Sequence, residues 1–157
     1  MAERLAKDLG SGEWIGSQKF MAEIAEAEMD GQSILLIKPT TFMNRSGECI
    51  RKIIDFYKLD PAKQILVCCD DVDLPLGTHR LRMNGGPGTH NGLKSIVDCI
   101  GEGFPRLRIG FGPQPEHIDL AAWVLSGMTA EEKKMLEPSV NYAKIAVQEI
   151  LKNNKRL

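Results

Sequence analysis

The sequence has little of what marks a membrane-spanning, secreted or strongly basic protein. None of its apolar runs approaches the roughly 18–20 residues that a membrane-spanning helix requires. Its first residues do not follow the pattern of a secretory signal. The formal net charge is −1, which by itself does not favour a polyanionic partner. We therefore expect a protein of the cytoplasm, or of an organelle matrix, without membrane contact.

Cysteine is also scarce, and its spacing excludes the common cysteine frameworks. The four cysteines are Cys49, Cys68, Cys69 and Cys99, which form neither a C-x-x-C pair nor a disulfide pattern. Reduced thiols in a cytosol-like compartment are therefore expected. No Gly-Lys-Ser/Thr ending and no G-x-S-x-G elbow occurs, so the sequence favours neither a P-loop nor a serine nucleophile.

The 157 residues are expected to form a single domain over residues 1–157. Predicted strands and helices interleave along the chain, with a hairpin among them. This order predicts an α/β fold, a three-layer α/β/α sandwich on a mixed β-sheet. Because a helical pattern starts at Met1 without a preceding strand, we expect the domain to be incomplete at its N-terminus.

Local signals predict most of the individual elements. The dipeptide Asp30-Gly31 between two strand-like runs predicts a hairpin, and apolar spacing predicts helices over 46–58 and 93–100. A short apolar run predicts a buried strand over 64–69 that ends at the following acids. Alternation predicts a strand over 78–83, and a further strand with close-packing glycines is expected over 107–112. Helices are further expected over 118–125 and over 130–154, the latter kinked or restarted at Pro138.

Three polar segments follow predicted strands and could meet at one edge of a sheet. Asn44 is either a helix cap, the commoner case, or a carboxamide that binds an ester or amide substrate. Asp70 ends the buried strand and needs a partner, such as a histidine. His90 and Asn91 close a glycine-rich loop before a helix, where His90 is a base, a substrate-binding group or a helix-start residue facing water.

Two further charged groups bear on function. Asp70, Asp71 and Asp73 resemble metal ligands, but no histidine or carboxylate completes the set, so no metal is expected. Between Thr78 and Arg108 the cations outnumber the acids. This local excess favours either a nucleic-acid surface or a solvated face that balances acids elsewhere. The cations are Arg80, Arg82, Lys94, Arg106 and Arg108.

Four motifs in order resemble bacterial-type peptidyl-tRNA hydrolase. They are KPTTFMNRSG (38–47), DDVDLPLG (70–77), GGPGTHNGLK (85–94) and RLRIGFG (106–112). The resemblance implies hydrolysis of the ester between a peptide and the 3′ end of tRNA, with peptidyl-tRNA as partner and no metal or organic cofactor.

The resemblance also implies roles for individual residues. Asn44 and Asn91 hold the substrate and the attacking water, and Asp70 orients a catalytic histidine. Phe42, Met43 and His90 lie against the substrate, with Met43 beside the terminal adenosine and peptide. The implied tRNA-binding residues are Arg82, Arg108, Lys94 and Arg80, of which Arg82 and Arg108 clamp the 5′-phosphate.

The chain departs from the family pattern in one respect. The segment that carries the general-base histidine is not found, and the only histidines are His79, His90 and His117. We therefore expect poor activity and an exposed sheet edge that permits self-association. The alternative is a non-catalytic RNA-binding protein on the same fold, like the relatives that act in organellar RNA splicing.

Overall fold

The computed structural model describes residues 1–119, 122, 123 and 125–154. Its helices and strands alternate along the chain, as the sequence predicts. The helices are α1 (Ala2–Asp8), α2 (Ser46–Tyr57), α3 (Pro61–Gln64), α4 (Asn91–Ile100), α5 (Ala130–Met135) and α6 (Glu137–Asn154), with a 3₁₀ turn at Met43–Arg45. The strands are β1 (Ile15–Ser17), β2 (Ala22–Met29), β3 (Gln32–Pro39), β4 (Val67–Pro75), β5 (His79–Arg82) and β6 (Arg106–Gly112).

The first sheet is antiparallel, in the order β1-β2-β3. Strands β2 and β3 pair along their whole length, from Ala22 opposite Pro39 to Met29 opposite Gln32. The two-residue connection has positive φ at both positions, 53° at Asp30 and 73° at Gly31. These angles are those of a type I′ turn, whose twist matches that of the flanking strands. The predicted hairpin is confirmed.

The second sheet is mixed, in the order β4-β6-β5, with β4 parallel and β5 antiparallel to β6. The predicted extent of β4, residues 64–69, is wrong. The strand begins at Val67 and continues through the acidic residues to Pro75. Asp70 and Asp71 can lie within the strand because each carboxylate binds a side chain from another element. His90 binds Asp70, and Arg108 binds Asp71.

Helices on both faces join the two sheets, which share no paired strands among the described residues. On one face, Ile53 of α2 packs in a cluster with Phe20 beside the first sheet, and Ile50 of the same helix packs with Leu93 and Cys69 at the second. The fold class predicted from the sequence is confirmed, but the strands form two three-stranded sheets where a single mixed sheet was expected.

The opposite face is covered by α1 and α6. Leu5 of α1 packs against Leu36 of β3, whereas Met1 packs with Leu107 of β6. Ala143 of α6 belongs to that second cluster, so the second sheet lies between α4 and α6. The layers are therefore helix, sheet and helix, as predicted.

The C-terminal part consists of two helices, which agrees with the predicted restart at Pro138. Helix α5 begins at a capping box formed by Thr129 and Glu132, and α6 follows after Leu136 with Pro138 in its first turn. Proline is tolerated there because the first amides of a helix have no partner within it. The helix expected over 118–125 includes residues 120, 121 and 124, which lie outside the described residues. Within the described part of the chain, no helix is long and apolar enough to span a bilayer.

Candidate functional site

The first half of the site is the N-terminus of α4, where His90 is the cap residue. Its Nδ1 accepts a hydrogen bond from the Leu93 amide at 3.1 Å. In a neutral ring, the proton therefore lies on Nε2, which donates to Oδ1 of Asp70 at 3.0 Å. The His90 side chain is 13% exposed. His90 is thus a helix-start residue, but one that faces a carboxylate rather than water.

Asp70 presents this carboxylate from the middle of β4. The hydrogen bond from His90 is the largest influence and lowers the pKa of Asp70 below its usual value, against the opposing effect of burial. Asp70 thus remains ionised at neutral pH. The sequence analysis expected a partner for this carboxylate, such as a histidine, and the structure places His90 in that position.

The second half of the site is the 3₁₀ turn before α2. The hydroxyl of Ser46 donates to the carbonyl of Met43 at 2.9 Å and so fixes the turn to the helix. Gly92 allows the two halves to meet. A Cβ atom there would lie 2.6 Å from Sδ of Met43 and 2.9 Å from Cε1 of His90. The thioether of Met43 and the imidazole of His90 are therefore neighbours on either side of Gly92.

The two carboxamides lie at the starts of neighbouring helices. Asn44 is exposed in the 3₁₀ turn, and Asn91 is the exposed first residue of α4. The cap interpretation of Asn44 is wrong, since the cap position of α2 is Arg45 and carries no side-chain cap bond. Phe42 is 78% exposed just before the turn. The site therefore presents two amides and two apolar side chains to solvent, with the Asp70–His90 pair behind them.

The two arginines of β6 bind groups of the protein itself. Arg106 is 1% exposed, and its guanidinium donates to the carbonyl of Glu102 at 2.7 Å and covers the ring of Phe104. Arg108 pairs with Asp71 at 3.2 Å and donates to a carbonyl of the glycine-rich loop. The spacing of the two arginines indicates this arrangement, because Arg106 and Arg108 are alternate residues of β6 and so lie on the same face of the sheet.

The remaining cations of the predicted tRNA surface are exposed. Arg80 and Arg82 alternate along β5, and Lys94 lies in the first turn of α4. Of the three acids that resembled metal ligands, Asp70 binds His90 and Asp71 binds Arg108. Asp71 also accepts a hydrogen bond from the backbone amide of Asp73 at 3.0 Å.

Sequence reasoning missed the contact that holds the two halves together. The amide of Gly47 in α2 donates to Oγ of Ser95 in α4 at 3.0 Å. A Cβ at Gly47 would overlap the backbone carbonyl of Ser95, so glycine is required at this crossing. The glycines at 47 and 92, each near a helix start, were the available signal, because glycine in a helix often marks a close approach.

Comparisons with known proteins point to one family. The profile of the peptidyl-tRNA hydrolase family matches residues 1–156. A peptidyl-tRNA hydrolase of Fervidobacterium nodosum is 46% identical over 129 residues, which cover 82% of this chain and 68% of the relative. One from Chloroflexus aggregans is 48% identical over 121 residues, 76% of this chain and 64% of the relative. The chain thus spans about two thirds of the length of these relatives.

A solved structure shows the same architecture. The crystal structure of peptidyl-tRNA hydrolase from Acinetobacter baumannii matches with a TM-score of 0.85 and 31% sequence identity. The match covers 99% of this chain and 78% of that one. On the family profile, the identity to these relatives and the shared fold, the chain belongs to the peptidyl-tRNA hydrolase family.

Proposed function

We propose that this chain hydrolyses the ester bond of peptidyl-tRNA, releasing tRNA and the peptide. One observation carries the proposal. In a member of this family, two exposed carboxamides and a thioether surround the Asp70–His90 pair, at the starts of two adjacent helices. A carboxamide can donate to the carbonyl oxygen of an ester and accept from an N–H of the peptide.

The roles follow from what each group can offer. Asn44 and Asn91 hold the ester and the attacking water, while Phe42 and Met43 provide an apolar surface for the terminal adenosine and the peptide. Aromatic and thioether side chains suit a nucleobase because they stack on its face without reading its sequence. His90 acts beside them as a donor that is held in one tautomer.

The tRNA backbone is proposed to lie along the exposed cations. Arg80, Arg82 and Lys94 are open to phosphate, and Arg108 lies behind them at the glycine-rich loop. Such contacts neutralise phosphates and make binding dependent on salt. The reaction is proposed to occur in the cytoplasm or an organelle matrix, where tRNA is found.

The geometry of His90 supports a slow reaction. In the neutral ring, Nε2 already carries the proton that it donates to Asp70, and Nδ1 accepts the Leu93 amide. His90 can therefore take a proton from water only if the bond from the Leu93 amide to Nδ1 is broken. The lowered pKa of Asp70 makes its carboxylate a weak base. A positioned general base contributes about 10²–10⁴-fold in rate, and we propose a deficit of this order relative to the Acinetobacter baumannii enzyme.

The test is turnover of N-acetylated aminoacyl-tRNA by the purified chain, followed as release of free tRNA. Asn44→Ala and Asn91→Ala are expected to lower kcat/KM by about 10-fold or more, since each removes a substrate hydrogen bond. Asn141→Ala is the matched control, because Asn141 is an exposed carboxamide on α6. Tight tRNA binding without turnover at any enzyme concentration would favour the non-catalytic RNA-binding alternative.

A further inference from the structure

Helices α2 and α4 pack against each other, with Ile50 of α2 beside Leu93 of α4, and approach most closely at Gly47. The hydroxyl oxygen of Ser95 accepts the amide of Gly47 at 3.0 Å. The two backbones are so close here that a Cβ at position 47 would overlap the carbonyl group of Ser95. It would also lie 2.8 Å from Sγ of Cys99. The two backbones therefore cannot come closer at this crossing, and the hydrogen bond from the Gly47 amide to Ser95 joins them there beside the apolar contact of Ile50 with Leu93.

Ser95 also completes the N-terminus of α2. The first four amides of a helix have no partner within it, and the cap residue Arg45 provides no side-chain acceptor. Instead, Arg45 pairs with Glu48 on the surface. Ser95 therefore supplies from the neighbouring helix the acceptor that a serine or threonine cap normally supplies from the same chain segment.

Each helix carries one half of the site immediately before or at its first turn. The 3₁₀ turn with Met43 and Asn44 leads into α2, and Ser46 fixes that turn to the helix. His90 and Asn91 begin α4, about one turn before Ser95. The Gly47–Ser95 contact thus lies within about one helical turn of both halves.

We propose that Ser95 is a positioning residue that sets the separation between the Met43–Asn44 and His90–Asn91 halves of the site. The proposal rests on the proposed function for its catalytic consequence, but its structural content does not depend on turnover. When Ser95 loses its hydroxyl, the Gly47 amide is left without its acceptor and the first turn of α2 is free to shift. Met43 then moves away from His90, and the two carboxamides no longer fit one substrate.

The first measurement is kinetic. Ser95→Ala is expected to lower kcat by about 10-fold with a smaller change in KM. A catalytic group displaced by 1 Å can lose roughly 100-fold in rate, and we expect the first turn of α2 to shift by less than this. Ser139→Ala is the matched control. Ser139 is fully buried and its hydroxyl lies 3.4 Å from Nδ1 of His79, so it joins α6 to β5 by an equivalent contact. Unchanged kcat in Ser95→Ala, or equal losses of kcat in both variants, would overturn the proposal.

The second measurement needs no turnover. The methyl group of Met43 and the ring proton on Cε1 of His90 should give a nuclear Overhauser effect in the unmodified chain and in Ser139→Ala. The effect should weaken or disappear in Ser95→Ala. If the chain has no hydrolase activity, the proposed function fails and this measurement alone decides on Ser95. A Ser95→Ala protein with the full Overhauser effect would refute the positioning role.

Discussion

The pair formed by Asp71 and Arg108 makes removal of Arg108 a severe perturbation. Its atoms lie 3.2 Å apart, and the two side chains are only 8% and 17% exposed. At an effective dielectric constant of about 20, the gross attraction at this distance is about 5 kcal/mol. Arg108→Ala leaves the Asp71 carboxylate buried without its counter-charge, a change that typically costs about 3–5 kcal/mol. The Asp73 amide still donates to Asp71, so we expect a cost near the lower end, about 3 kcal/mol.

The assay is urea unfolding of four proteins. They are the unmodified chain, Arg108→Ala, Asp71→Asn and the double variant Asp71→Asn/Arg108→Ala. Because asparagine is neutral and can still accept the Asp73 amide, the double variant should recover about 2 kcal/mol relative to Arg108→Ala. Arg82→Ala is the surface control, expected to change the free energy of unfolding by no more than about 0.5 kcal/mol.

The same variants separate stability from RNA binding. Arg82→Ala should weaken tRNA affinity and reduce the slope of log affinity against log salt by about 1. For Arg108→Ala, affinity must be measured where the protein remains folded, and the double variant is the appropriate background. A loss below about 1 kcal/mol in Arg108→Ala, or no recovery in the double variant, would refute the assignment of a buried, energetically coupled pair.

Three further predictions concern the site and its surroundings. Because folding lowers the pKa of Asp70, the ionised carboxylate stabilises the fold. This contribution is complete at pH values above the unfolded-state pKa of about 4. This contribution is lost as pH falls through the folded value, so the destabilisation caused by Asp70→Asn in urea should shrink on acidification. Gly92→Ala should displace Met43, whose sulfur would lie 2.6 Å from the new Cβ. Turnover should therefore fall, whereas stability should change little because alanine favours the helix by about 1 kcal/mol. Burial raises the pKa of the Cys69 thiol to about 12. Its alkylation by iodoacetamide at pH 8 should therefore be at least about 100-fold slower in the folded protein than in urea; equal rates would contradict this.

The elements that the sequence predicted well are those set by local signals. Asp30-Gly31 is sufficient for the hairpin because the turn type depends on two residues. Helices α2 and α4 follow from apolar spacing, and their observed bounds differ from the predicted ones by one or two residues. Of the candidate site, the position of the polar segments after strands predicted that Asp70 and His90 could meet, and they do. The contact of Met43 with His90 was not predicted, since residues about 50 positions apart carry no periodic signal of contact.

The elements that could not be predicted depend on distant partners. Strand β4 continues through Asp70 and Asp71 because their partners come from 20 and 37 positions away. Composition treated Arg106 as a surface cation, but its guanidinium is enclosed by the backbone around Glu102. The hydrogen bond from the Gly47 amide to Ser95 joins residues of two helices that are 48 positions apart in the sequence. Such contacts are properties of the packed molecule and leave no pattern in either segment alone.

The division into two sheets has a consequence for how the molecule assembles. The first sheet is built from the contiguous residues 15–39, so its contacts are local and can form on the microsecond timescale of a hairpin. The second sheet pairs Val67 with Arg106 in parallel, which requires closure of a long loop and is intrinsically slower. Native-state hydrogen exchange should therefore resolve two opening units, with α2 as the helix whose amides report on both.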